Sequence, residues 1–189
     1  MSKFNEPKAT VDLSNGELKG LNVIKSEKVL KDLKEIFEDE ITFKKMNPNT
    51  LVYKVQINAQ EKEGKEGGLF FGTSCVYPGK VGDEYFMTKG HFHLKSDTSE
   101  YYWCIEGKGM LILMDEGRNC YVEKMFKGSL HYIPGKVAHR IANTGEKILT
   151  VGACWPSDAG HDYVSIMKRG FSARLKDVNC VPTLIYVKE

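Results

Sequence analysis

The sequence predicts an all-β chain: a barrel or jelly roll of short strands, with an irregular N-terminal arm and one external helix. Three observations point there. From about residue 50 onward, apolar and polar residues alternate in short runs, the period of half-buried strands. Pro-Gly, Gly-Lys-Gly and Asn-Thr-Gly turns separate those runs at close, regular spacing. One segment alone, after Ser26, carries helical spacing. A length of 189 residues suits one domain, and 41% hydrophobic with 28% charged residues is ordinary globular composition, which excludes gross disorder.

Residues 1–25 read as an extended arm with turns at Asn15-Gly16 and Lys19-Gly20. Ser26 is a plausible N-cap for a helix ending near residues 38–40, with Val29, Leu30, Leu33, Ile36 and Phe37 on its apolar face. Leu51, Tyr53, Val55 and Ile57 then alternate as a strand. The run 61–68 is a charged, Gly-rich solvated loop. Strands are expected near 69–77, 84–88, 100–106, 109–114, 120–126, 130–133, 137–142 and 147–155. Pro78-Gly79 and Pro134-Gly135 fit the central positions of type II turns. A loop at 156–163 leads into a helical turn or two at 164–168, and Thr183 to Val187 reads as a closing edge strand. The expected organisation is a single domain, 1–189: arm and helix over 1–48, barrel core over 49–157, C-terminal extension over 158–189.

Lys and Arg total 27 against 25 Asp and Glu, a net charge of +2. That balance argues against a nucleic-acid partner, whose binding rests on neutralising phosphates. No apolar run reaches membrane-spanning length, and the start lacks the apolar stretch of a secretory signal. The five cysteines (75, 104, 120, 154 and 180) are odd in number and show no Cys-x-x-Cys spacing. They read as small buried hydrophobes in a reducing, cytoplasmic compartment.

The five histidines carry the chemistry. In Gly90-His91-Phe92-His93 two imidazoles sit at i and i+2, on one face of a strand. Glu100 opens the next strand, and a tight connection would set its carboxylate beside the pair. His139 follows a Pro-Gly turn on a later strand, which a barrel can turn inward. Three nitrogens and one oxygen suit one divalent ion: iron, manganese, nickel, cobalt or zinc. His131 matches no motif and reads as a hydrogen-bonded core histidine. Gly107-Lys108-Gly109 is a hairpin turn and not a phosphate loop, because no helix follows it.

His91-x-His93, Glu100 and Gly107 resemble the first cupin motif; Gly128, Pro134-Gly135, His139 and Asn143 resemble the second. Cupins form a double-stranded β-helix, or jelly-roll, barrel and host many activities. Tyr77-Pro-Gly-Lys-Val-Gly82, Thr88-Lys-Gly-His-Phe-His93 and Pro156-Ser-Asp-Ala-Gly-His-Asp-Tyr163 look more specifically like the cupin-type glucose-6-phosphate isomerases. The resemblance spans roughly residues 45–175. It implies His91, His93, Glu100 and His139 as ligands of one divalent ion per subunit, iron first among the candidates. It implies a sugar phosphate near Ser74, Thr88, Lys89, Gly90, Tyr102 and Trp155, with His161 and Tyr163 closing the site, and a homodimer. Glu100, His161 and Tyr163 are then the candidates for proton transfer. Trp155 stands where those isomerases carry Tyr, and Ser74 where Thr is familiar. Strict alternation would put Thr88 and Gly90 on the face opposite His91 and His93, so either Gly90 marks a bulge or Thr88 precedes the strand. Two rival functions share the ligand pattern: a metal cupin dioxygenase and a non-catalytic sugar-binding cupin.

Overall fold

The structure, a computed structural model, describes residues 4–187. Sequence readings that touch residues 1–3 and 188–189 lie outside the described residues. The elements in chain order are β1 (Ala9–Val11), β2 (Leu18–Gly20), β3 (Val23–Val29), α1 (Glu40–Lys45), β4 (Leu51–Asn58), β5 (Leu69–Val76), β6 (Lys80–Val81), β7 (Glu84–Tyr85) and β8 (Glu100–Glu106). There follow β9 (Lys108–Met114), β10 (Cys120–Phe126), β11 (Leu130–Ile133), β12 (Ala138–Asn143), β13 (Leu149–Pro156), α2 (Tyr163–Arg169), β14 (Ala173–Val178) and β15 (Val181–Tyr186).

A six-stranded sheet runs β11-β8-β13-β5-β4-β3, and a three-stranded sheet runs β10-β9-β12. Bridges at Met87–Ala142 and His91–His139 add residues 87–91 to the second sheet. The two layers form a jelly roll without closing into the barrel the sequence suggests. Inward-facing apolar residues fill the space between them, among them Val76, Leu111, Leu113, Ile133 and Leu149. Both faces of β12 are covered, and all six of its residues are buried. β14 and β15, with β6 and β7, make a further sheet. The closing strand is thus Val181–Tyr186, and β14 before it carried no clear sequence signal.

The helix expected from Ser26 to residues 38–40 is absent. Val23–Val29 instead pairs along β4, with Ser26 opposite Val55 and Lys28 opposite Tyr53. A single 3-10 turn follows at Leu30–Leu33. Leu30, Leu33, Ile36 and Phe37 are buried as the helical reading requires. However, Leu30, Leu33 and Ile36 recur every third residue, the 3-10 period, and Leu30 and Lys31 donate their backbone N–H groups to Thr50 and Pro48. Strand pairing and this docking override local helix propensity. The helix that does form nearby is α1, capped by Asp39, which accepts from the Thr42 N–H.

The Pro134-Gly135 turn also differs from a type II turn: Lys136, at φ +65°, holds the left-handed conformation there. Cys75, Cys104 and Cys120 are buried, but Cys154 is half-buried and Cys180 is exposed at the β14–β15 turn, so the buried-hydrophobe reading fails for Cys180. No helix among the described residues is long and apolar enough to cross a membrane.

Candidate active site and metal centre

The inner face of the six-stranded sheet can be read across its registers. Lys28 lies beside Tyr53; Ser26, Val55, Ser74 and Val151 form a row; Ile57, Gly72, Ala153, Tyr102 and His131 form the next. β12 and residues 88–91 face this surface from the other layer. Between them lies a cavity of about 200 Å³.

His91 reaches the site because its backbone exchanges hydrogen bonds with His139 on β12 (3.3 and 3.1 Å). Four steps separate Met87 from His91, but three separate His139 from Ala142, so residues 88–90 hold one extra residue. This is a bulge, and it resolves the alternation problem: Gly90 sits at φ +78° and Thr88 Oγ1 accepts from the Ile141 N–H. A Cβ on Gly90 would lie 2.8 Å from the Phe171 ring. Glu100 does not arrive on a strand paired with residues 91–93. It opens β8, across the core in the opposing sheet, because residues 94–99 cross between layers.

The coordinating atoms of His91, His93, Glu100 and His139 all lie within 4.8 Å of one another. Glu100 Oε1 is 2.5 Å from His139 Nε2 and 3.4 Å from His93 Nε2. The three Nε2 atoms and Glu100 Oε1 are buried without a well-formed hydrogen bond. Burying such groups unpaired costs several kcal/mol each, on the order of 2–7 kcal/mol, and one cation at their centre satisfies all four. His93 Nδ1 donates to the Thr98 carbonyl (2.8 Å) and His139 Nδ1 to that of Val137 (3.2 Å). A carbonyl only accepts, so these bonds orient each ring and leave Nε2 for the ion. The residues present therefore fit a divalent metal.

The electrostatics agree. Burial opposes the charge on Glu100, yet His139 and His93 beside it hold its carboxyl down at about 2. Burial, with His139, His161 and His93 nearby, holds His91 well below the usual histidine value.

The loop 156–163 is strapped to the site by a bridge in which Phe92 and Asp162 exchange backbone hydrogen bonds (3.3 and 2.8 Å). This sets the His161 ring 4.4 Å from His91 and parallel to Tyr163 at 5.7 Å. Burial lowers His161 and raises Tyr163, keeping both neutral at neutral pH. Asp162 is not only a loop residue, since its side chain caps α2 by accepting from the Ser165 N–H. Ser74, Thr88, Lys89, Gly90, Tyr102, Trp155, His161 and Tyr163 all line the one cavity, with His91, Glu100 and His139. Trp155 packs edge-on to Phe70 and over Gly72, where a Cβ would lie 2.8 Å from the indole. His131 stands apart, bonded to Glu123 (2.6 Å) and Ser129 (2.8 Å).

Ser26, Lys28 and Tyr53 also line the cavity and were missed from sequence. The helical reading hid Ser26 and Lys28. The alternation at 51–57 could have flagged Tyr53, whose hydroxyl burial raises to about 12.

The glucose-6-phosphate isomerase family model matches residues 27–181. The chain belongs to that family. A glucose-6-phosphate isomerase of Thermococcus litoralis is 44% identical over 181 residues, covering 94% of this chain and 93% of the relative. One from Pyrococcus horikoshii is 42% identical over 173 residues, covering 89% of each chain. A bacterial relative bearing the same name, from Sinorhizobium medicae, is 36% identical over 174 residues, covering 90% of this chain and 80% of the relative. Among solved structures, an oxalate oxidase aligns at TM-score 0.46 and 12% identity, over 77% of this chain and 56% of its own. The Bacillus subtilis oxalate decarboxylase aligns at 0.45 and 20%, over 58% and 26%. The cluster of His91, His93, Glu100 and His139 and the cavity beside it form one continuous site.

Proposed function

We propose that this protein is a metal-dependent aldose–ketose isomerase that interconverts glucose 6-phosphate and fructose 6-phosphate. The observation that carries the reading is the cavity wall itself: three of the four clustered metal-binding groups open directly into a pocket lined with Lys28, Lys89, Ser26, Ser74 and Thr88. Two ammonium groups and three hydroxyls suit a phosphate dianion. A bound divalent ion would act as a Lewis acid, polarising the sugar carbonyl and steadying negative charge on its oxygen. Iron is the ion the family resemblance implies, and the N₃O donor set also accepts manganese, nickel, cobalt or zinc.

Isomerisation moves hydrogen between C1 and C2. Glu100 is a poor base while it ligates a cation, because the cation stabilises its ionised form. Neutral His161 can take up a proton and the Tyr163 hydroxyl can donate one, so these two residues are the relay if the C2 proton is removed. A direct hydrogen shift between the carbons needs no base. Running the reaction in deuterated water separates the routes: deuterium at C1 or C2 of the product excludes an exchange-free shift. Trp155, whose indole N–H donates but does not accept, tunes contacts with the sugar.

The same reading takes residues 1–189 as one cupin domain acting as a cytoplasmic homodimer. Support for the dimer comes from the outer face of the six-stranded sheet. There Trp103 lies opposite Leu130 and Tyr101 opposite Tyr132, all four exposed.

A coupled assay of fructose 6-phosphate conversion, run without oxygen on chelator-stripped and reconstituted protein, tests the function. Activity should vanish on stripping and return with the ion. Turnover that needs oxygen would favour the dioxygenase; metal-loaded protein that binds the sugar phosphate without converting it would favour the sugar-binding cupin.

A further inference from the structure

On the face of β12 opposite His139 lies Arg140, only 7% exposed. One of its Nη atoms donates to Met87 Sδ (3.1 Å), and its guanidinium carbon sits 3.7 Å over the Phe171 ring. Its Nε has no partner. The nearby acid, Glu84, is already engaged: Oε1 pairs with Arg174 (2.8 Å) and Oε2 accepts from the Glu38 N–H (2.6 Å). Arg174 gives its other contact to the Ile36 carbonyl, and its Nε too is unpartnered. This cluster therefore holds two guanidiniums, Arg140 buried and Arg174 half-buried, for one buried carboxylate. The ring of Phe171 offsets only part of the charge on Arg140, and a buried ion without a full partner is costly.

Arg140 and Arg174 line a common cavity of about 30 Å³, closed by Phe171, Gly170 and Ile166, with Glu35 at its exposed rim. A space of about 10–15 Å³ holds one water, so this one takes a small ion and excludes a sugar phosphate. We propose that this cavity binds a small monovalent anion, chloride or another halide, which neutralises the Arg140–Arg174 pair and clamps β12 to residues 170–174. The site is separate from the catalytic cavity, on the other face of β12, and its fate does not depend on the isomerase reading.

The test uses the metal-loaded full chain. Crystals grown or soaked with bromide should show an anomalous peak between the two guanidiniums. In solution, chloride should raise the melting temperature relative to gluconate at equal ionic strength. The rise should saturate, reaching about 4 °C at tenfold the dissociation constant. Arg140→Met should abolish the saturable part, while Glu35→Gln should leave it intact. If no bromide peak appears and chloride and gluconate give equal melting temperatures, the proposal is overturned. A chloride effect seen only in Glu35→Gln would overturn it equally, by making the Glu35 carboxylate the counter-ion. If Arg140→Met does not fold, the bromide map decides alone.

Discussion

His93 and His139 each bind a backbone carbonyl through Nδ1 and present Nε2 to Glu100. Loss of either imidazole leaves the remaining ligands without a closed set. His139→Ala should weaken metal binding by about 100-fold or more, read as metal content after dialysis. His131→Ala should keep its metal, because His131 bonds Glu123 and Ser129 instead. Without an ion, burial lowers His93, but the neighbouring Glu100 carboxylate and the bond to the Thr98 carbonyl outweigh it and raise the group above the usual histidine value. An incoming ion must displace that proton, so affinity falls as pH drops. Uptake should release protons from His93, measurable by calorimetry in buffers of differing ionisation enthalpy. Gly72→Ala should push Trp155 into the cavity and raise KM for the sugar phosphate more than it lowers metal content. The convergence of His91, His93 and His139 was legible in sequence because His-x-His and Pro-Gly-x-x-x-His spacing survives any detail of packing. Lys28 was not, because its position depends on a strand partner, Tyr53, distant in the chain.

At the scale of elements, two local devices shape the site. The bulge at 88–90 turns Thr88 and Gly90 into the cavity alongside His91. Gly90→Ala would place a side chain at φ +78° against Phe171 and should cost about 1–3 kcal/mol, read from denaturant unfolding. The 156–163 strap depends on Asp162, which caps α2 and pairs its backbone with Phe92. Asp162→Ala should cost about 1 kcal/mol of stability. It should also lower kcat through loosened His161 and Tyr163 while leaving metal content unchanged; loss of the metal would contradict the strap's separate role. The sequence signalled the bulge through the conflict between strand alternation and a Gly before His91. It misread residues 26–40, because apolar spacing every three residues is shared by helical faces and by a 3-10 turn docked on a sheet. Only the tertiary partners Pro48 and Thr50 separate the two.

For the molecule as a whole, period-2 alternation and frequent turn residues were enough to give the β class, and the order of strands came within a residue or two at most boundaries. Which strands pair was not legible: Glu100 reaches the histidines from the opposing sheet, a relation set by long-range packing between layers. The exposed Trp103, Leu130, Tyr101 and Tyr132 face predicts a dimer in sedimentation, and Trp103→Glu with Leu130→Glu should shift it to monomer without unfolding it. A wild-type monomer would remove that interface. The central claim concerns the four convergent groups, and anomalous diffraction from iron-reconstituted crystals tests it most directly. The account predicts one peak, bounded by Nε2 of His91, His93 and His139 and by the Glu100 carboxylate. Fully loaded, active protein whose peak lies anywhere else would contradict it.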